Sequence, residues 1–343
     1  MPDRRKVTRR TLVGAAALAP LAGCATTPEG PTALSSGPFD ANPKVIDASS
    51  DVRPHLAALK AAGVWTVIRY YARDLQEILP EKRLKREEAA DLIAAGFSIA
   101  VVYQYFNNVR ENINAARGRQ DADYAVEHAA VVQKQPKGSA IYFGVDGDWA
   151  DAAARADIAG YFRSVRGAFE GSGYKIGAYG SGATLAFLEA EGLADMTWLA
   201  YPQGWSGSAA YFNANNWRLF QSALETRIGA LAIDANIVNP RFADFGQWGA
   251  KGVDYGHRAA ASSAVAGERR FVAVHGAKLR VAPDEGAAEI ATARFRKGAC
   301  VRILGTGSGW AALDVNESGL RTGYARLADL TPDFSRRPDF FAA

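Results

Sequence analysis

Between Lys44 and Gln247, short apolar runs rich in β-branched residues alternate with segments of helical periodicity, which leaves few possible architectures. The runs at 44–47, 64–70, 98–105, 140–146, 174–179, 196–201, 217–221 and 229–234 read as strands. Helical patterns fill the earlier gaps, at 51–62, 85–95, 119–134, 151–170 and 182–192. Near-continuous apolar strands separated by helices imply a parallel sheet covered by those helices. Eight such strands imply a closed TIM-like barrel rather than an open sheet. Toward the end the spacing shortens. About fifteen residues part the sixth run from the seventh, and fewer than ten part the seventh from the eighth, too few for crossover helices. The expected fold is therefore α/β: five β/α units followed by three β-strands.

Beyond this barrel (44–247) the texture changes. Residues 248–268 are rich in Gly, Ala and Ser and read as a linker. Over 269–332, short alternating runs at Arg269–Val274, Lys278–Val281, Cys300–Leu304, Trp310–Val315 and Gly323–Arg326 predict a small all-β barrel. Lys278-Leu279-Arg280-Val281, the Lys297-Gly298 turn, Gly309-Trp310 and Gly323-Tyr324 resemble a bacterial SH3 domain. That resemblance implies either binding of cell-wall peptides or a spacer, and both stay open. Residues 333–343 form a tail.

Residues 1–24 have the layout of an export signal. A basic start (Arg4, Arg5, Lys6, Arg9, Arg10) precedes an apolar run from Leu12 to Ala22, too short to span a bilayer, which takes about 20 residues. Arg9-Arg10 between Thr8 and Thr11-Leu12 looks like the twin-arginine motif. Leu21-Ala22-Gly23-Cys24 resembles a lipoprotein signal-peptidase box, which implies acylation of Cys24 and a membrane anchor, with 25–43 as the tether. Cleavage without acylation would instead release a soluble periplasmic protein. The expected address is the periplasm or cell envelope in either case.

The signal also accounts for the charge. The chain carries 40 Lys+Arg and 36 Asp+Glu, but residues 1–23 hold five of the bases and one acid, leaving 35 of each. A neutral mature chain without basic clusters among aromatics is not a nucleic-acid binder. Cys300, in an apolar run, reads as a buried strand cysteine. The four histidines are scattered without metal-ligand spacing, so no metal is expected. Gly177-Ala178-Tyr179-Gly180-Ser181-Gly182 lacks a phosphate-loop lysine and dinucleotide spacing, so no cofactor is expected either.

In a β/α barrel, functional groups project from the C-terminal ends of the strands. Carboxylates stand at three such ends: Asp47, the pair Asp146 and Asp148, and Asp234. Barrel closure should bring the eighth strand beside the first, making Asp47 and Asp234 neighbours. Asp146 and Asp148 share a face if their strand stays extended. Several carboxylates around one mouth suit glycoside hydrolysis, where one donates a proton and another stabilises positive charge. Helix and turn capping competes as an explanation, most directly for Asp148, which precedes the helix near 151. Tyr70, Tyr103, Gln104, Tyr179, Tyr201, Gln221 and Asn236 add rings and amides suited to stacking on and bonding to sugars.

These residues resemble an exported bacterial family with a glycoside-hydrolase-like domain, whose barrel is similar to the family 25 lysozymes. The matching pieces are Asp47, the run Tyr142-Phe143-Gly144-Val145-Asp146-Gly147-Asp148, Gly177-Ala178-Tyr179, Gln221 and Asp234-Ala235-Asn236, over roughly 44–247. The layout of five β/α units and three strands matches as well. The resemblance implies action on peptidoglycan or a related envelope glycan, with Asp148 as general acid, Asp146 assisting, and Asp47 and Asp234 completing the site. Asp148 departs from the lysozyme pattern, which has Glu there. The shorter arm shifts the proton by about 1.5 Å, and misplacement on that scale costs about 100-fold in rate. A non-catalytic glycan-binding lipoprotein and a purely structural lipoprotein are the alternatives.

Overall fold

The computed structural model describes residues 44–73, 81–201, 204–239, 241–242, 244–249, 268–290, 295–315 and 321–332. The expected signal with Cys24, the tether 25–43, most of the linker 248–268 and the tail 333–343 lie outside the described residues.

All of the expected barrel strands form: β1 (Val45–Asp47), β2 (Thr66–Tyr71), β3 (Ser98–Tyr103), β4 (Ala140–Gly144), β5 (Lys175–Gly180), β6 (Met196–Leu199), β7 (Leu219–Ile228) and β8 (Leu231–Val238). The helices between the earlier ones are α1 (Leu56–Ala61), α2 (Arg86–Ala94), α3 (Ala115–Glu127), α4 (Ala152–Phe169) and α5 (Gly182–Ala190). Strands β1 to β7 pair in parallel, each with the next. A hairpin then reverses the chain, and β8 runs antiparallel to both β7 and β1, closing the ring. The result is a closed eight-stranded α/β barrel.

Two details depart from the sequence expectation. A short helix, α6 (Ser208–Ala214), occupies the gap between β6 and β7. Its seven residues are too few to print a periodicity, and it is stopped by the left-handed Asn215 at φ 59°. Strand β7 also runs ten residues, well past the apolar run at 217–221. Two register shifts between Gln221 and Thr226 break its alternation and hide the second half.

Strand parity divides the apolar side chains. Val45, Ile68, Ala100, Val102, Ala140, Tyr142, Met196, Trp198 and Leu219 fill the barrel interior. The intervening Ile46, Val67, Ile99, Val101, Ile141, Phe143, Ile176 and Ala178 face the helices. Burial of both faces is why these strands read as continuous runs. Gly177 is required inside: a Cβ there would meet the Tyr142 ring at 2.4 Å.

Strand β9 (Trp248–Gly249) pairs antiparallel with the start of β3. A separate antiparallel sheet follows, from β10 (Arg269–Val272), β11 (Cys300–Gly307), β12 (Trp310–Asp314), β13 (Gly323–Arg326) and β14 (Leu330–Thr331), in the order β13-β12-β11-β10-β14. The expected strand Lys278–Val281 is reduced to bridges from Arg280 to Glu289 and Tyr324. Val272, Leu279, Val301, Ile303 and Leu313 belong to this sheet's own core. Phe271 and Cys300 instead join the helix-side core of the barrel. The Phe271 ring meets Phe212 of α6 edge-on at 5.2 Å between centroids. Arg269 donates to Asn215 Oδ1 at 2.9 Å and covers the Trp217 ring. The small sheet is therefore docked against α6. Among the described residues no helix is long and apolar enough to cross a membrane.

Candidate active site

Asp47 and Asp234 are cross-strand partners in the β1–β8 register, so ring closure itself creates the carboxylate pair. Asp234 lies inside β8 rather than at its C-terminal end. It reaches the mouth because β8 is antiparallel, which turns its N-terminal half toward the C-terminal end of β1. Asp47 and Asp234 continue the interior-facing parity of Val45 and Asn236.

Asp47 is buried at 2% exposure and accepts three hydrogen bonds. Tyr70 Oη donates to Oδ1 at 2.8 Å, while Asn236 Nδ2 at 2.8 Å and Gln221 Nε2 at 3.3 Å donate to Oδ2. The same Gln221 Nε2 lies 3.3 Å from Asp234 Oδ2 and bridges the pair. Gln221 is oriented by the Tyr179 hydroxyl, which donates to Oε1 at 2.9 Å. Asn236 is oriented by the Trp198 indole, also at 2.9 Å. Asp234 is half-buried, and its Oδ1 accepts the backbone N–H of Glu225 at 2.6 Å.

Burial pushes the Asp47 carboxyl above the usual carboxylate range, and its three donors pull back only part of the way. Burial, then the Asp47 charge, hold Asp234 well above that range against the Glu225 N–H. Two adjacent carboxyls resist joint ionisation. Asp47 has more donors to its charged form, so the upward shift falls more heavily on Asp234.

Lys82 completes the mouth, and no motif or spacing in the sequence marked it. Its ammonium donates to Gln104 Oε1 at 2.7 Å and lies 4.4 Å from the centre of the Tyr70 ring. Gln104 Nε2 in turn donates to Asp146 Oδ2 at 3.2 Å. Burial lowers the Lys82 ammonium to about 8, against the charges of Asp146, Asp47 and Asp234, which raise it. The lysine is held by Arg69, fully buried, which donates to the carbonyls of Glu81 at 2.8 Å and Lys82 at 3.0 Å. Arg69 also pairs with the buried Glu88 of α2 at 2.7 Å.

Not every expected residue joins this cluster. Strand β4 ends at Gly144, so Asp146 and Asp148 sit in the following loop and diverge. Asp146 turns to Gln104, whereas Asp148 is exposed and accepts from Ser206 N at 2.9 Å and Ser206 Oγ at 3.1 Å. Asp148 does not cap α4 either; Asp151 does, accepting from Ala154 N. Tyr103 has the opposite parity from Gln104 and faces the helices, with its hydroxyl on Asp121 of α3 at 2.8 Å. Tyr201 is buried just past β6, with its ring 6.0 Å from the Arg296 guanidinium of the small sheet. Among the described residues no three His, Cys, Asp or Glu side chains form a group able to hold a metal.

The arrangement offers a carboxyl with raised proton affinity at a mouth lined by a second carboxyl, a lysine, amides and tyrosines. Residues 57–238 match the Rv2525c-like, glycoside hydrolase-like domain family, a span that holds Lys82, Asp146, Gln221 and Asp234. The uncharacterized protein YbfG of Bacillus subtilis (strain 168) is 27% identical over 214 residues, 58% of this chain and 29% of that protein. The chain thus matches less than a third of that relative's length. Crystal structures of the Mycobacterium tuberculosis Tat-secreted protein Rv2525c are similar, at a TM-score of 0.50 and 25% identity, covering 60% of this chain and 98% of that one. One of those structures is a complex with L-tartrate and another with HEPES.

Proposed function

The chain belongs to the Rv2525c-like, glycoside hydrolase-like domain family, and from that membership we propose that its barrel hydrolyses a glycan of the cell envelope. The observation that carries this is the Asp47–Asp234 pair bridged by Gln221. Asp234 is the proton donor to the leaving oxygen, since a carboxyl raised well above the usual carboxylate range is what glycosidic cleavage needs. Burial, and then the charge of Asp47 beneath it, raise its hold on that proton. Asp146, close to Lys82 and held by Gln104, supplies the carboxylate that meets positive charge at the anomeric carbon. Tyr70, Tyr179 and Gln221 orient the pair, and the exposed sides of the mouth receive the sugar.

The compartment supports an envelope substrate. Rv2525c is Tat-secreted, and Arg9-Arg10 and Cys24 favour the same export route here, with a lipid anchor on Cys24. Peptidoglycan is the abundant glycan at that address, and an SH3-like fold of the C-terminal sheet suits a wall-binding partner domain. The test is release of reducing ends from purified cell wall and from a panel of envelope glycans. Asp234→Asn should abolish release and Asp148→Asn should leave most of it. Activity lost in Asp148→Asn but kept in Asp234→Asn would overturn the assignment.

A specific feature favours a second reading, glycan binding without cleavage. Asp148, at the position where the lysozyme-like pattern has its acid, is one methylene short and tied to Ser206 through both oxygens. On this reading no reducing ends appear from any glycan. Sedimentation with cell wall then survives Asp234→Asn and weakens in Tyr179→Ala.

A further inference from the structure

The small C-terminal sheet approaches the barrel site at Arg296. Arg296, just ahead of β11, donates through Nη2 to the Leu224 carbonyl at 2.6 Å. Leu224 belongs to the bulged half of β7, where Glu225 takes a left-handed φ of 50°. The Leu224 carbonyl and the Glu225 N–H are the two ends of one peptide unit, and that N–H donates to Asp234 Oδ1 at 2.6 Å. In a trans peptide the two groups point in opposite directions. One amide plane therefore stands between the guanidinium and the carboxyl, bonded to both. A cation on the carbonyl polarises the amide and strengthens its N–H as a donor, as in any chain of hydrogen bonds.

We propose that Arg296 is a positioning residue of the barrel site, acting on Asp234 through the Leu224–Glu225 peptide, and that the C-terminal sheet is in this way a working part of the barrel. Its importance for glycan cleavage rests on the function proposed above; the linkage itself rests on geometry. Independent contacts hold the sheet in place to deliver the arginine. Phe271 packs on Phe212, Cys300 lies in the barrel's helix-side core, and Arg269 binds Asn215. Arg296 also lies beside Tyr201, at the end of β6.

A left-handed glutamate costs strain that glycine would avoid. The bond from Arg296 offsets that cost and keeps the Glu225 N–H aimed at Asp234. Among the described residues, the groups that face Asp234 are Asp47 on β1, Tyr70 on β2, Lys82 in the turn after it, Tyr179 on β5, Glu225 on β7 and Arg296. Of these, burial, Asp47 and Glu225's own charge push the carboxyl up, and Arg296 pulls it down. The C-terminal sheet thereby contributes, behind burial, Asp47 and Glu225, to how readily the site's acid releases its proton.

The experiment follows the Asp234 carboxyl by NMR of full-length protein carrying 13C-carboxyl aspartate, with Asp234→Asn to assign the signal. Arg296→Ala should raise its titration midpoint by roughly half a pH unit or more, a fraction of the 1–3 units a direct opposite charge supplies. Hydrogen exchange at the Glu225 amide should quicken at least tenfold. Arg296→Lys should restore most of the midpoint, because the charge returns. Arg269→Ala, which loosens the same interface without touching Leu224, should leave both readouts unmoved. An unchanged midpoint and exchange rate in Arg296→Ala overturn the proposal, as does an equal shift in Arg269→Ala. Glycan assays on the same variants separate the two ideas. If the midpoint shifts in a protein that cleaves no glycan, the linkage stands and the hydrolase reading falls. If cleavage is present and the alkaline limb of its pH profile, where the acid loses its proton, ignores Arg296, the linkage falls and the hydrolase reading stands.

Discussion

Replacing Arg69 by Met removes the buried cation that organises one side of the mouth while keeping an apolar stem of similar length. The guanidinium is fully buried and makes five bonds. Two go to Glu88, at 2.7 and 3.1 Å, and the others to the carbonyls of Glu81, Lys82 and Ala48. Glu88, equally buried, also accepts the Val52 N–H at 3.1 Å. Losing one partner of a buried ion pair costs about 3–5 kcal/mol, since the survivor is left charged or must take a proton. Each carbonyl deprived of its donor adds about 1 kcal/mol. Water entering the vacated space recovers part of that, so the expected loss is about 4–6 kcal/mol in urea denaturation at pH 7. At about 2–4 °C per kcal/mol, the midpoint of thermal unfolding falls by about 10–20 °C. The double variant Arg69→Met/Glu88→Met removes the stranded charge and should regain about 3 kcal/mol, leaving the carbonyl share. A single variant that loses under about 1 kcal/mol, or a double variant no better than the single, refutes this account. The Lys82 backbone is held by Arg69, so glycan cleavage or binding should fall in both variants even where the fold survives.

Other outcomes are expected from titration. The Asp234 carboxyl is raised on folding, so the native chain binds more protons than the unfolded one above the ordinary carboxylate range, and the group's contribution falls as pH rises. Asp234→Asn should therefore raise the unfolding midpoint at pH 7 and lose that advantage by about pH 4; a destabilised variant at pH 7 would contradict it. Lys82, lowered to about 8, binds more protons unfolded, so its contribution rises with pH from there toward 10.5, the ordinary lysine value. Competitive acetylation across pH should find Lys82 reacting as an amine of midpoint near 8, and a midpoint above 10 would reject this. His128, lowered to about 4 by burial, adds stability above 6.5 that is lost as pH falls toward 4. His128→Phe should flatten that acid limb, and an unchanged limb would place the acid sensitivity elsewhere. Gly118→Ala would put a Cβ 2.3 Å from the Tyr161 carbonyl of α4, an overpacking cost of about 1–3 kcal/mol by denaturant titration; a neutral variant would show that α3 and α4 can separate freely.

The barrel was legible because its strands are buried on both faces, and uninterrupted apolar runs announce them. The same property hid which residues face inward. Tyr103 and Gln104 are neighbours, only one can point to the mouth, and Ser98–Tyr103 offers no alternation to choose between them. The pairing of Asp47 with Asp234 followed from closure alone, since a ring must bring its last strand to its first. The divergence of Asp146 and Asp148 was not readable, because the strand stops at Gly144 without a proline or charge change to mark it. Lys82 stayed invisible for a different reason. Its position depends on Arg69 recognising turn carbonyls, an interaction without sequence periodicity. The roles of α6 and Arg296 likewise depend on contacts between the barrel and the small sheet.

A ring closed by its first and last members has a seam, and here the chemistry lies on it. The Asn236–Asp47 hydrogen bond joins residues 189 apart in the chain. Contacts this distant form late, after the entropy of the long intervening loop has been overcome. A nascent or partly folded chain can hold most of the barrel's strands yet have no carboxylate pair, because β8 has not met β1. The carboxyl pair is thus a property of finished molecules only. If the barrel acts on glycans as proposed above, immature copies would be inert toward them, and competence would arise in the same step as completion of the fold.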